Sequence, residues 1–200
     1  MIRKEIEKLK EMIHLMCRKT ETMYFTSLEV LRKKDRKLLN ELLEMDKDLN
    51  KMEVDVDNAC LNLLALKDPY AVDFRYIISV MKSTRDLERI GDESKTIGKW
   101  SFKSDLEIDR NSDFQSLVNY TTEALQKAIQ ALTYEDLKFA NDCLQLELNV
   151  DELEEKILSK DPILPSGLII RAMERIGDLS ANIAENVIYY LEAKDIRHQV

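Results

Sequence analysis

The pentapeptide Glu-Arg-Ile-Gly-Asp occurs twice, at 88–92 and again at 174–178. Each copy places Glu and Asp four residues apart, so on a helix both carboxylates project from one face, about 5–6 Å apart at Cβ. Further acids, with one amide among them, precede each copy. Asp46, Asn50, Glu53 and Asp57 fall at i, i+4, i+7 and i+11, and Glu147, Asp151 and Glu154 repeat the first three positions at an offset of 101. Such a row stays on one helix face. The candidate metal ligands are therefore Asp46, Asn50, Glu88 and Asp92 in the first half, and Glu147, Asp151, Glu174 and Asp178 in the second. All offer oxygen, which suits Mg, Mn or Ca on chemical grounds.

An acidic pair alone indicates little in a chain with 38 Asp and Glu among 200 residues, because most such pairs lie on solvated faces. For Glu53, Asp57 and Glu154 a wet surface is an equally good reading. Glu88 and Glu174 differ: Glu88 continues the row Phe74, Ile77, Met81, and Glu174 shares its row with Ile170, Gly177, Ala181 and Ile188. A Glu on an apolar face is rarely buried unless it is paired or ligates a metal. Gly91 and Gly177 each cost roughly 1 kcal/mol in a helix interior, which predicts close packing beside the acids. The competing reading is a set of internal salt bridges to Arg85, Arg89, Arg171 or Arg175. Other chemistries find no residues. Only His14 and His198 exist, neither near the acids, so the Glu-x-x-His spacing of di-iron bundles is absent. No glycine-rich phosphate loop and no Ser/His/Asp set can be assembled.

The elements that position these acids are helices. Four Gly, three Pro and 34% charged residues point to an all-α protein. Ile2, Ile6, Leu9, Ile13, Met16 and Cys17 begin a first helix that runs to about Leu31, before the charged turn at 32–35. Leu38, Leu42, Met45, Leu49, Met52, Val56, Ala59, Leu63 and Leu66 alternate spacings of four and three, the seam of a second long helix. Asp68-Pro69 ends it, and a third helix follows from about Tyr70 to Lys99. After a polar linker from Trp100 to Ser112, the pattern predicts helices from about Asp113 to Leu132, Glu135 to Ser159, and a last one to about Ala193 beyond a turn at Pro162 and Pro165-Ser166-Gly167. At the offset of 86, Arg85 also matches Arg171, Ser94 matches Ser180 and Ile97 matches Ile183. Two tandem three-helix bundles result, residues 1–100 and 101–200, as an internal duplication. If each Pro marks a hairpin apex, Asn50 lies level with Glu88 and Asp151 level with Glu174.

Composition bounds the function. The net charge of -8 argues against a nucleic-acid binder, whose affinity rests on Lys and Arg clusters. No apolar run approaches the ~20 residues that span a bilayer, and Met-Ile-Arg-Lys-Glu lacks the apolar stretch of a signal peptide. Cys17, Cys60 and Cys143 are odd in number and scattered, the usage of reduced cytoplasmic thiols.

At the duplicated signature the chain resembles the PhoU family of bacterial phosphate-uptake regulators. The resemblance rests on Asp86-Leu-Glu-Arg-Ile-Gly-Asp92, Ala172-Met-Glu-Arg-Ile-Gly-Asp178, Asn182-Ile-Ala-Glu185 and Asp73-Phe-Arg75, and it covers essentially the whole chain. It implies multinuclear metal clusters, often iron or zinc, on the acidic faces. It further implies a cytoplasmic negative regulator that links the ATPase of a phosphate ABC importer to a phosphate-sensing histidine kinase; the chain is expected to form a homodimer and to reach the membrane only through partners. Two departures stand out: Asp46-Lys-Asp-Leu-Asn50 has Asn where the family has Asp, and the second hairpin is short. The expected function is thus a non-enzymatic regulatory adaptor. The alternatives are a metal-dependent enzyme whose carboxylate cluster acts on a phosphate ester, and a metal-free structural module. Metal is expected to prefer the second half, where four carboxylates stand against three, and Asn50→Asp is expected to strengthen the first.

Overall fold

The computed structural model describes residues 2–66, 69–108, 110–160 and 162–193; Asp68 and His198 lie outside them. Six helices follow in order: α1 (Ile2–Lys33), α2 (Arg36–Leu66), α3 (Ala71–Ser101), α4 (Ser112–Tyr134), α5 (Leu137–Leu158) and α6 (Leu164–Glu192). No strand occurs among the described residues.

The duplication extends to the turns. α1 closes at Lys34, held at a left-handed φ of 50° with its N–H donating to Val30 O at 2.8 Å. Asp35 then caps α2 by accepting from Lys37 N at 2.7 Å. In the second half Glu135 takes a φ of 53° and donates to Ala131 O, and Asp136 accepts from Lys138 N at 2.7 Å. A side-chain oxygen at the cap satisfies N–H groups that the first turn leaves without partners.

Two element boundaries differ from the pattern-based reading. α6 starts at Leu164 with Pro165 in its first turn, so Ser166 and Gly167 are helical and not part of a turn. Proline is at ease there because the first-turn N–H groups have no intrahelical acceptor and its fixed φ is already helical. The linker after α3 is also less loose than its polar composition suggests. Leu106 and Ile108 are buried, Ser104 bonds Ser166 at 2.8 Å between hydroxyls, and the Lys34 ammonium donates to the Ser101 carbonyl.

Packing follows the apolar seams. On α2 the seven-residue series Leu42, Leu49, Val56 and Leu63 is buried, while Met45, Met52 and Ala59 are partly covered. A helix with a stripe of this width buries one side and leaves the other to solvent. α1 packs on α2 and α3, and α2 on α3; α4 packs on α5 and α6, and α5 on α6. Equivalent buried hydroxyls tie each unit: Thr20 Oγ1 donates to Leu87 O at 3.3 Å, and Thr121 Oγ1 to Met173 O at 3.5 Å. The two units join along α3 and α6, and at α1 against α4. α3 and α6 run antiparallel, since Arg75 Nε donates to Tyr190 O at 3.4 Å, Ser79 Oγ to Asn186 O at 2.8 Å and Arg175 Nη1 to Glu93 Oε1 at 3.1 Å. One continuous apolar core runs through both units.

The two signature glycines do their work against the neighbouring helix of the same half. A Cβ on Gly91 would land on Leu49 Cδ2, and one on Gly177 would sit 3.0 Å from Val150 Cγ1. Leu49 and Val150 immediately precede Asn50 and Asp151. The glycines therefore let α2 approach α3, and α5 approach α6, at the level of the acids.

Candidate metal centre

In the second half the four candidate acids come together. Glu147 and Asp151 project from α5, Asp178 from α6, and one carboxylate oxygen from each lies within 4.8 Å of the other two. Glu174 lies one turn before Asp178, which acts on it electrostatically, as Asp151 does on Glu147. Glu147 and Glu174 are half-buried, while Asp151 and Asp178 keep part of their surface open to solvent, so the cluster is sheltered on its glutamate side and reachable from the aspartate side. Among the described residues, no Lys or Arg forms an ion pair with any of the four. Arg89 acts on Asp178 only through space.

Carboxylates placed this way repel one another, and burial adds to the cost of their charge. Burial first, then the charge of Asp151, pushes the Glu147 carboxyl up to about 7. Burial and the charge of Asp178 push Glu174 up to about 7 as well. Asp178 is raised by burial and by Asp151. Either protons or a cation must offset this charge. An oxygen-only donor set at the mouth of a helix pair fits a hard cation, and Glu147, Asp151, Glu174 and Asp178 are the residues that would hold it.

The metal-free protein should show this repulsion as a pH dependence. Between about 4.5, the ordinary Glu value, and about 7, the folded state keeps protons on Glu147 and Glu174 that the unfolded chain has already released. Stability contributed by these two groups is therefore present below 4.5 and lost as pH rises to about 7. Chemical denaturation in chelator at pH 5 and pH 8 measures it. Glu174→Gln should reduce the loss across that interval, and an unchanged profile would contradict the geometry described.

The first half is built alike and ends differently. Glu88 on α3 is half-buried and raised by burial, then by the charges of Asp92, Glu53 and Asp46, so α2 and α3 do oppose their acids. Asn50 lies exposed one turn after Asp46. The difference is Lys95, whose ammonium sits 2.7 Å from Asp46 Oδ1 and 2.6 Å from Asp92 Oδ1. Sequence reasoning considered four arginines as salt-bridge partners and missed this lysine. The signal available was its position three residues after Asp92, on the same helix face.

The arginines serve other positions. Arg175 pairs with Glu93 across the α3–α6 junction at 3.1 Å. Arg85 lowers Glu53 and Arg171 lowers Glu154, each against the raising effect of burial. Both of these glutamates are partly covered, which departs from a purely solvated surface and repeats between halves. Asp86, which the chemistry-based reading did not single out, is pushed up to about 6 by burial and accepts from Asn186 Nδ2 at 3.4 Å. The three cysteines are buried and unbridged. No described helix is long and apolar enough to cross a membrane.

The comparisons with known proteins agree with this architecture. The PhoU domain matches residues 13–101 and 114–187. The chain is 30% identical, over 97% of its length and 86% of the relative, to the phosphate-specific transport system accessory protein PhoU homolog of Pseudomonas aeruginosa. It is 27% identical to the accessory protein PhoU of Escherichia coli, over 97% and 86% of the two chains. Among solved structures, PhoU from Pseudomonas aeruginosa superposes with a TM-score of 0.88 at 27% identity, covering 97% of this chain and 100% of that one. The phosphate transport system regulatory protein PhoU from Streptococcus pneumoniae shares the fold, with a TM-score of 0.84 at 22% identity over 98% and 99%. With both of its helical units matched and an all-helical fold shared end to end, this chain belongs to the PhoU family.

Proposed function

We propose that this chain is a metal-binding regulatory adaptor that restrains phosphate uptake and phosphate-starvation signalling from the cytoplasmic side, and that it catalyses no reaction itself. The observation that carries the reading is the oxygen group of Glu147, Asp151 and Asp178, with Glu174 beside Asp178 and no ion-paired cation, in a chain that matches phosphate-transport accessory proteins over 97% of its length. A divalent or trivalent cation there would supply positive charge that offsets the carboxylates and links α5 to α6. The residues that would hold it are already poised on rigid helices, with Val150 packed on Gly177 behind them.

Partner contact is supported by the end of the first hairpin. Leu61, Leu66, Tyr70, Val72 and Phe74 are large apolar side chains left exposed there, and apolar surface concentrated at one end of a hairpin suits contact with a protein partner. The partners proposed are the ATPase of a phosphate ABC importer and a phosphate-sensing histidine kinase. Co-purification of the tagged chain with each purified partner, with and without chelator, is the test. At least one partner should be retained, and less of it after chelation. Retention of neither, together with turnover of a phosphate ester that is lost in Glu174→Ala, would favour the metal-dependent enzyme instead.

A further inference from the structure

We propose that Lys95 is the built-in counter-cation of the first acidic site and keeps that site closed to metal ions, so that the two duplicated halves hold different cations. The residues of the first half do not fit a metal as those of the second do. The Lys95 ammonium lies between Asp46 and Asp92, 2.7 and 2.6 Å from an oxygen of each, within the span of a charge-assisted hydrogen bond. It bridges α2 to α3 across the very faces that would supply metal ligands. The Lys95 side chain is only 17% exposed and that of Asp46 14%, so this arm of the bridge is shielded, while Asp92, 51% exposed, forms the arm open to solvent. The position equivalent to Lys95 in the second half, 86 residues on, is Ala181, which carries no charge.

Charge balance points the same way. The first site sets one ammonium against the carboxylates of Asp46, Glu88 and Asp92, with neutral Asn50 in the fourth position; the second has four carboxylates and no ion-paired cation, with Arg89 reaching Asp178 only through space. A metal entering the first site would have to displace the ammonium from two partners or share the site with it at a few ångströms, where like charges repel strongly. Lysine donates three hydrogen bonds and cannot ligate a metal while protonated. Asn50 lowers the ligand charge of the first site, but Lys95 is what occupies it. Asn50→Asp alone should then leave the site closed, because the added carboxylate gives the ammonium another partner.

This inference rests on the proposed function only in taking the second half as the metal site, and the test removes that dependence. In the full chain carrying Asp151→Ala and Asp178→Ala, the second half keeps Glu147 and Glu174 but loses two of its four donors, and only the first half keeps its acids complete. Calorimetric titration of that protein with Mn²⁺ should show no uptake, and Asn50→Asp added to it should still show none. Lys95→Ala added instead should raise first-half affinity for Mn²⁺ by at least about tenfold, and Lys95→Arg should not. Anomalous scattering from Mn²⁺ locates any ion that binds. In chelator, Lys95→Ala should also be less stable to denaturation than Lys95→Arg, because Asp46 and Asp92 lose their counter-charge. Uptake of Mn²⁺ between Asp46 and Asp92 with Lys95 intact would overturn the inference, as would Lys95→Ala and Lys95→Arg behaving alike. Failure of the unmutated second half to bind Mn²⁺ would instead contradict the proposed function.

Discussion

Asp178→Ala is expected to lower the affinity of the second-half cluster for Mn²⁺ by about a hundredfold or more, while leaving the metal-free protein as stable as before or slightly more so. The two effects have opposite signs for one reason. Asp178 brings α6 into the three-oxygen group with Glu147 and Asp151 of α5, so its loss breaks the bridge between helices. Loss of groups that merely orient a ligand already costs about 10–100-fold, and a direct donor should cost at least that. Without metal, Asp178 is one of several like charges and is itself raised by burial and by Asp151; removing it relieves repulsion. Asp178 is exposed, so no cavity opens in the core. Calorimetry with Mn²⁺ and denaturation in chelator measure both halves of the prediction. A variant that loses stability in chelator and keeps its affinity would show a structural role only.

Saturating metal is expected to raise the unfolding temperature by about 5–10 °C, and chelator to reverse it. A ligand at 100 times its dissociation constant adds about 2.7 kcal/mol to the folded state. Each kcal/mol moves the midpoint of a chain this size by about 2–4 °C. The gain should be larger at pH 8 than at pH 5, because the protons on Glu147 and Glu174 compete with the cation below about 7. Scanning calorimetry at both pH values reads this directly. A gain that is equal at the two pH values, or that persists in Asp178→Ala, would place the bound ion elsewhere.

Much of this was legible in the residues, and the exceptions have physical causes. Apolar periodicity marked all six helices to within a few residues, because each helix buries one continuous stripe. The glycines at 91 and 177 marked close packing, since nothing else in a helix interior justifies their cost. The start of α6 was misplaced because Pro165 stops a helix from within but suits its first turn. Leu106 and Ile108 were hidden in a polar linker too short to show a period. Lys95 was missed for a different reason. A lysine three residues beyond an acid looks like an ordinary surface pair, and only the approach of Asp46 from α2 turns it into a shielded bridge. Pairing between helices is a tertiary property, and the same holds for Arg175 reaching Glu93 across the α3–α6 junction.

Anomalous diffraction combined with elemental analysis, on protein purified without chelator, tests the central claim most directly. The account predicts bound transition-metal or other hard-cation density among Glu147, Asp151, Glu174 and Asp178, with the metal content measured in solution matching the ions seen there. Protein that carries no metal and takes none up, or whose only metal lies away from these four carboxylates, would contradict it.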